Sequence, residues 1–373
     1  MVWIVPDELE EVVHAAARAV LGEAPLATAA LTKAIVDRSR RYTSERDRPA
    51  ADPTGDLAAR AMFFTIADAM KIAIPLGELV HRGALPAARP LRIVDLGAGC
   101  GAMSLGAIAA LPAGGDTRLD ILAIDRDGAA LTIARAALRE LAARRGIAAT
   151  IATRDDDVLR VTIPAADLIV IGTLLNELAP GARLKLALRA LTAIGDDGAV
   201  IVIEPALRDT ARALHELRDA ILRVGRGQVF APCTRTAAPC PALADPADWC
   251  HEDRALQLPH RTAELARLTH LRDGGMKFAY LVLRRRPLAL VEAASAWRVV
   301  SAPMPAKGKL EVIGCSAAGR VPLRLLRRHR SPHNRGFEAA DRGDVLVTNA
   351  APDDDRVEIT DETRVERITP AKP

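Results

Sequence analysis

The sequence predicts an α/β protein whose core is a mostly parallel sheet covered by helices on both faces. A helical unit precedes that core, and a cysteine-rich insertion and a small β-rich unit follow it. Three observations lead there. Short β-branched runs (LRIVDLG, LDILAID, ATIATRD, DLIVIGT and GAVIVIEP) alternate with Ala-rich helical segments between Leu91 and Pro205. The runs are almost continuously apolar, as buried parallel strands are. The first run ends in a glycine-rich turn, DLGAGCG, that leads into a helix.

Residues 1–88 carry apolar positions at three- and four-residue spacing in ELEEVVHAAARAVL, TAALTKAIVDRSRRY and LAARAMFFTIADAMKIAIPLGELV, and predict an all-helical N-terminal unit. SERDRPAADPTGD (44–56) is polar and Pro-containing, and is expected to be a linker or loop. Residues 89–230 form the α/β domain, closed by the helix ALRDTARALHELRDAILRVGRG. Residues 231–286 hold the cysteine-rich loop and a closing strand, MKFAYLVLRRR. Residues 287–373 make a basic, β-rich C-terminal unit and tail.

Composition narrows the class. Of 373 residues, 50% are hydrophobic but only 3% aromatic, so the core is aliphatic, and a net charge of +4 permits a nucleic-acid partner without demanding one. The N-terminus, MVWIVPDELEEVV, has neither a signal-peptide nor a transit-peptide pattern, and no apolar run reaches the roughly 18 residues of a membrane span. The expectation is a soluble cytoplasmic monomer with no membrane partner. In a reducing compartment, clustered cysteines point to metal or redox chemistry before disulfides.

The most specific stretch is LRIVDLGAGCGAMSLGAIAAL. A strand ends in Asp95, and Gly97, Gly99 and Gly101 turn the chain into a helix. Without Cβ atoms a ligand approaches the backbone closely, and the helix start offers unpaired amides. A second strand ends in Asp125, positioned to accept from ribose hydroxyls. The third closes on Asp155, Asp156 and Asp157, where a carboxylate or backbone pair can meet an adenine edge, with Asp156 the candidate. These spacings fit the class I S-adenosylmethionine (SAM) methyltransferase arrangement, a Rossmann-like sheet, better than a pyrophosphate fingerprint. Cys100, inside the turn, reads as a small packing residue.

The fourth strand, DLIVIGTLLNELAP, places Thr173, Asn176 and Glu177 toward the region of methyl transfer. Asn176 and Glu177 are the catalytic candidates. Glu177 and Glu204 are candidate bases, with capping or cofactor positioning as the plainer roles. The Asn/Asp-Pro-Pro-aromatic signature of amino-group methylation is missing. Pro232-Cys233 and Pro239-Cys240 resemble the Pro-Cys nucleophile of RNA cytosine methylation, but lie beyond the helix that follows the fifth strand.

Three of the five cysteines, Cys233, Cys240 and Cys250, fall in one Pro-rich loop, and Cys315 lies 64 residues further on. The spacing departs from paired zinc knuckles. It leaves an iron–sulfur site, a four-cysteine zinc site and isolated buried thiols open. His251 reads as a neighbouring donor to the site.

The runs HELRDAILRVGRGQVFAPCTRTAAPCPALADPADWCHEDR, MKFAYLVL and GKLEVIGCSAAGRV carry a resemblance. With the glycine-turn motif, the chain over about 90–350 resembles the methyltransferase-like assembly factor family of the mitochondrial ribosomal small subunit and its bacterial relatives. The resemblance implies a class I SAM-binding fold and a [4Fe–4S] cluster on Cys233, Cys240, Cys250 and Cys315. It implies SAM residues Asp95, Gly97, Gly99, Gly101 and Asp125, and a partner in small-subunit ribosomal RNA or a pre-ribosomal particle. The chain departs from the family at Thr234-Arg235, where relatives often carry Pro-His, and at His251-Glu252, where they often carry His-Phe. Neither change removes a thiolate.

Basic residues supply the RNA candidates: Arg284, Arg285 and Arg286 after the closing strand, then Arg320, Arg324, Arg327, Arg328, Arg330 and Arg335 with His329 and His333. Arg forks bind phosphate. The plainer alternative is a solvated face or pairing with the acidic tail residues Asp353, Asp354 and Asp355. The reading at this level is a SAM-binding, iron–sulfur protein of the small ribosomal subunit, acting as an rRNA methyltransferase. A non-catalytic assembly factor that uses SAM and cluster structurally is the alternative. A small-molecule methyltransferase with a zinc-stabilised lid is the weaker one.

Overall fold

The computed structural model describes residues 2–44, 50–114, 116–272, 274–353 and 355–371. The N-terminal part comprises β1 (Val2–Ile4), α1 (Asp7–Leu21), α2 (Thr28–Ser44) and α3 (Pro53–Ala59). It continues through a π-helical stretch (Arg60–Thr65), α4 (Ile66–Ala69), a 3-10 turn (Met70–Ile72) and α5 (Ala73–His81). The unit is therefore not all-helical: β1 pairs in parallel with a strand from the far side of the cysteine loop. A three-residue strand has no period to read, so its pairing is set by tertiary contact. The expected linker over 44–56 shrinks, because α2 runs through Ser44 and α3 begins at Pro53 behind the N-cap Asp52; residues 45–49 lie outside the described residues.

The core alternates β2 (Leu91–Leu96), α6 (Ala102–Ala110), β3 (Arg118–Asp125), α7 (Gly128–Arg144), β4 (Ala148–Asp155), β5 (Ala166–Gly172), α8 (Pro180–Ala193), β6 (Ile194–Pro205) and α9 (Arg208–Val224). After it come β7 (Gln228–Ala231), β8 (Glu252–Gln257), α10 (His260–Thr269) and β9 (Gly275–Arg284). The nine-stranded sheet runs β1-β8-β9-β6-β5-β2-β3-β4, with β7 also on β9. Strands β2 to β6 are mutually parallel and β9 is antiparallel to β6. Parallel order reversing between β2 and β5, closed by one antiparallel strand, is the class I methyltransferase topology, and its ligand crevice lies at the strand C-termini where the order reverses.

One face of the sheet buries α6 and α7, on which α1 and the other N-terminal helices pack in a single hydrophobic cluster. The opposite face buries Ile169, Ile171, Val200 and Val202 beneath α8 and α9. Each such fully buried aliphatic side chain contributes about 1.5–3 kcal/mol relative to exposure.

The C-terminal part adds β10 (Ala296–Val299), β11 (Met304–Ala306), β12 (Lys309–Ser316), β13 (Gly319–Leu326), α11 (Arg335–Glu338), β14 (Val345–Thr348), β15 (Val357–Ile359) and β16 (Val365–Ile368). They form a second sheet in the order β15-β13-β12-β10-β14-β16, with β11 on β12 and its own small core around Trp297, Val312 and Phe337. The tail supplies two short strands, β15 and β16. Arg298 of β10 docks this sheet on the core through Glu78 (2.6 Å), Tyr280 (2.9 Å) and Glu252 (3.1 Å), all buried.

Candidate functional site

The crevice at the ends of β2, β3 and β5 has a volume of about 690 Å3. Asp95 ends β2, nearly fully buried, and accepts from Ser104 Oγ at 2.6 Å; burial raises its pKa to about 6. Gly97 has φ +74°, and a Cβ there would lie 2.9 Å from Leu174 Cδ2. Gly101 starts α6 with φ +87° and packs against Ala134. Register between β2 and β3 brings the strand ends together, and the Gly97 amide donates to Ile124 O at 2.8 Å. The Asp125 carboxylate then accepts the Gly99 amide (2.8 Å) and the Asp127 amide (2.9 Å).

Asp95, Gly97, Gly99 and Asp125 therefore meet in one crevice, whereas Gly101 supports it from behind. Asp156 does not line it: its amide bonds to Asp125 O, and its Oδ1 accepts the next amide, Asp157 N, at 2.8 Å. One oxygen of the Asp156 carboxylate is thus engaged in shaping its own turn.

Of the fourth-strand residues, Thr173 and Glu177 face the crevice. Thr173 sits at φ +56°, a strained backbone for a β-branched residue, and donates its amide to Ile203 O at 2.7 Å. Burial raises the Glu177 pKa. Asn176 turns away, contrary to expectation. Its Nδ2 donates to Glu204 Oε2 at 2.7 Å, while Glu204 Oε1 accepts the amides of Leu174 (3.1 Å) and Leu175 (2.8 Å). Glu204 is buried with its pKa raised to about 7, and the pair clamps the loop after β5 from beneath. Glu204 itself does not line the crevice. Cys100 is buried in the core, its thiol pushed up to about 11 by burial.

The N-terminal helices roof the crevice with Arg38, Arg60, Phe64 and Asp68, which sequence reasoning did not place there. Arg60 bridges Asp56 and Asp127, the N-cap of α7. Asp68 pairs with the buried Lys71 (2.8 Å) and with Arg272 (3.1 Å). The tertiary approach of α2, the π-helical stretch and α4 to the glycine turn assembles this wall, so no local motif signals it.

A second site gathers Cys233, Cys240, Cys250 and Cys315 around a cavity of about 40 Å3. Cys233 follows β7, Cys240 opens a 3-10 turn, Cys250 precedes β8, and Cys315 lies in β12 opposite Arg320 and Arg298. Burial, then the neighbouring thiols, pushes Cys240 up to about 11 and Cys315 up to about 12, and raises Cys250 well above the usual thiol range. Around them the Nε of Arg218 and Arg320 and the Nδ1 of His251 are buried with no hydrogen-bond partner. The two orphaned arginine donors fit a sulfur-rich anionic group. Among the described residues, no three Cys, His, Asp or Glu side chains gather closely enough to hold a single metal ion. His251 stacks on Trp249 at 5.7 Å.

The basic candidates separate into three groups. Arg284 is buried and donates to Ala84 O at 2.9 Å, so it is not available to RNA; β9 is buried on both faces at this point. Arg285 and Arg286 pair with Asp196, Arg324 with Glu358, and Arg330 with Glu338. Arg320 pairs with Asp248 beside the cysteine cavity. Arg327 and Arg328 are exposed, with no acidic partner among the described residues. In the tail Asp355 pairs with Arg356, and Asp354 lies outside the described residues.

Residues 73–346 match the family model described as Rsm22, mitochondrial small ribosomal subunit Rsm22. No curated protein matches the sequence. Among solved structures the chain is similar to the SAM-bound magnesium protoporphyrin IX methyltransferase ChlM of Synechocystis PCC 6803, at 13% identity over 67% of this chain and 90% of that one, with a TM-score of 0.37. It is also similar to the mitomycin 7-O-methyltransferase MmcR, at 17% identity over 72% and 75% with a TM-score of 0.35. The plantazolicin methyltransferase BpumL, in complex with SAH, matches at 13% identity over 68% and 95% with a TM-score of 0.36.

Proposed function

This chain belongs to the Rsm22 family of the mitochondrial small ribosomal subunit, and from that premise we propose that it is a SAM-dependent methyltransferase of small-subunit ribosomal RNA. The observation that carries the reading is the crevice in which Asp125 is tied to the Gly99 amide beneath the ends of parallel strands. Close backbone approach at Gly97 and Gly99 suits the methionine end of SAM, and the Asp125 carboxylate suits its ribose hydroxyls. Transfer requires an RNA nucleophile in line with the methyl group, so the protein's main task is positioning. Thr173 and Glu177 stand nearest that task. Incubating the purified protein with methyl-labelled SAM and precursor small subunits tests this: label in the RNA supports transfer, and binding without label rejects it.

The second reading is an assembly factor that binds SAM without turnover. It is favoured by the placement of Asn176, which serves Glu204 rather than the crevice, leaving Glu177 as the one proposed catalytic side chain still facing it.

We further propose that Cys233, Cys240, Cys250 and Cys315 hold a [4Fe–4S] cluster. The four thiols around one cavity and the orphaned Arg218 and Arg320 donors support it. A single zinc ion would require ligands drawn in to about 2.3 Å each. A cubane spreads four thiolates around a wider body, and when bound it supplies either electron exchange or a rigid covalent tie. Iron, zinc and acid-labile sulfide analysis of anaerobically purified protein separates the metals; one zinc per chain without sulfide rejects the cluster. The partner proposed is small-subunit RNA or a pre-ribosomal particle, contacted by Arg327 and Arg328, by a monomer in the cytoplasm. No described helix is long and apolar enough to cross a membrane.

A further inference from the structure

One face of α9 is stitched to the cysteine loop between Arg212 and Asp219. Arg212, His215 and Arg218 follow each other at three-residue steps and Asp219 lies four beyond His215, so they share a broad helix face. Arg212 Nη1 donates to Asp245 O (2.7 Å), Asp248 O (2.8 Å) and Ala242 O (3.1 Å). His215 Nε2 accepts the Cys250 amide at 3.0 Å. Arg218 donates to Arg235 O (2.8 Å) and Ala237 O (2.9 Å), and pairs with Asp219 at 2.5 Å. Asp219 Oδ2 accepts the Cys240 amide at 2.8 Å. Every one of these loop contacts is made to main-chain atoms, so the positions of Cys240 and Cys250 are set without using either sulfur.

The helix itself is anchored. Ala211, Leu214, Leu217 and Ile221 lie in the core beneath the sheet, so α9 cannot follow the loop if the loop moves. His215 and Arg218 are themselves buried, so losing their main-chain partners would leave these side chains unsatisfied at a cost of about 1–3 kcal/mol each. Burial lowers the His215 pKa to about 4, in keeping with a neutral ring accepting through Nε2.

We propose that α9 is a ruler that holds the cysteine loop in its ligating arrangement whether or not metal is bound, with His215 and Asp219 as positioning residues. The site is thus loaded in a chain that is already folded. This differs from small metal domains, in which binding the metal is what folds the ligands together. The inference rests on the metal-binding reading of the four cysteines only for what enters the site, not for how the loop is held.

Amide hydrogen exchange over residues 233–250 tests it, on full-length protein stripped with chelator and reductant under anaerobic conditions. The expected result is protection of the Cys240 and Cys250 amides within about tenfold of the untreated protein, because their acceptors are Oδ2 of Asp219 and Nε2 of His215. Exchange of the stripped loop at the rate of unfolded chain, with α9 still protected, would overturn the proposal. His215→Leu should lose protection at Cys250 and release iron to chelator at least tenfold faster. His215→Gln, which keeps an acceptor near the same point, should restore both; equal behaviour of the two variants also overturns it. Metal analysis of the untreated protein is read separately: no iron and no zinc would reject the metal reading, while protection of the loop would still decide the role of α9.

Discussion

Asp125 accepts the amide of Gly99 at 2.8 Å, so the acidic end of β3 and the glycine turn after β2 are one unit rather than two adjacent ones. The same carboxylate takes the Asp127 amide on its other oxygen, which orders the start of α7. A ligand reaching the crevice meets a carboxylate already oriented by backbone donors.

Asp125→Ala should raise the Kd for SAM roughly hundredfold, about 3 kcal/mol, since charge-assisted hydrogen bonds contribute about 1.5–3 kcal/mol each. Titration calorimetry reads this directly. Unchanged affinity in a folded variant would remove Asp125 from the ribose site.

Gly101→Ala forces a Cβ onto a residue at φ +87° and brings it 3.1 Å from Ala134 Cβ. Strain and contact together should cost about 1–3 kcal/mol of stability. Because Gly101 does not line the crevice, Tm should fall more than SAM affinity does.

Burial pushes the Glu204 pKa up to about 7 from its ordinary 4.5. Between those values the folded chain holds a proton that the unfolded chain has released, so stability falls as pH rises from about 4.5 to 7 and is level above that. The full effect is on the order of 3 kcal/mol. Glu204→Gln should abolish this slope. Its amide can meet the unpartnered Asn176 Oδ1 if the Asn176 amide rotates. The Tm difference between variant and parent from pH 5 to 8 isolates it from Asp95, which carries a slope of the same sign.

The double substitution Arg327→Ala and Arg328→Ala should weaken binding to small-subunit RNA and reduce its salt dependence by about two phosphate contacts, with Tm unchanged. Arg284→Ala should do the reverse. It leaves the Ala84 carbonyl without its buried donor, lowering stability by about 1–3 kcal/mol while the salt slope stays as it was.

Much of this architecture was legible because it rests on local patterns. The five parallel strands announce themselves as apolar runs, and Asp95, Gly97, Gly99 and Asp125 follow from strand–turn–helix context. What escaped depends on side-chain direction. Asn176 and Glu177 are neighbours in sequence, yet the 3-10 turn they share sends one beneath the loop and the other into the crevice. Arg284 opens a basic-looking run, but the interior position of β9 in the sheet buries it. The H-E-L-R-D run was informative beyond resemblance: the spacing of His215, Arg218 and Asp219 puts all three on one helix face, a signal that could have located the cysteine loop against α9. The roof residues Phe64 and Asp68 had no such signal, because their place depends on how the N-terminal helices dock.

Nucleoside mass spectrometry of small-subunit RNA, from cells with and without this protein, tests the central claim most directly. Methyl transfer predicts the loss of a methylated nucleoside on deletion and its return with the intact gene, but not with Asp125→Ala. Full retention of every methylated nucleoside in the deletion strain would contradict it, and precursor particles accumulating in that strain would identify a binding factor instead.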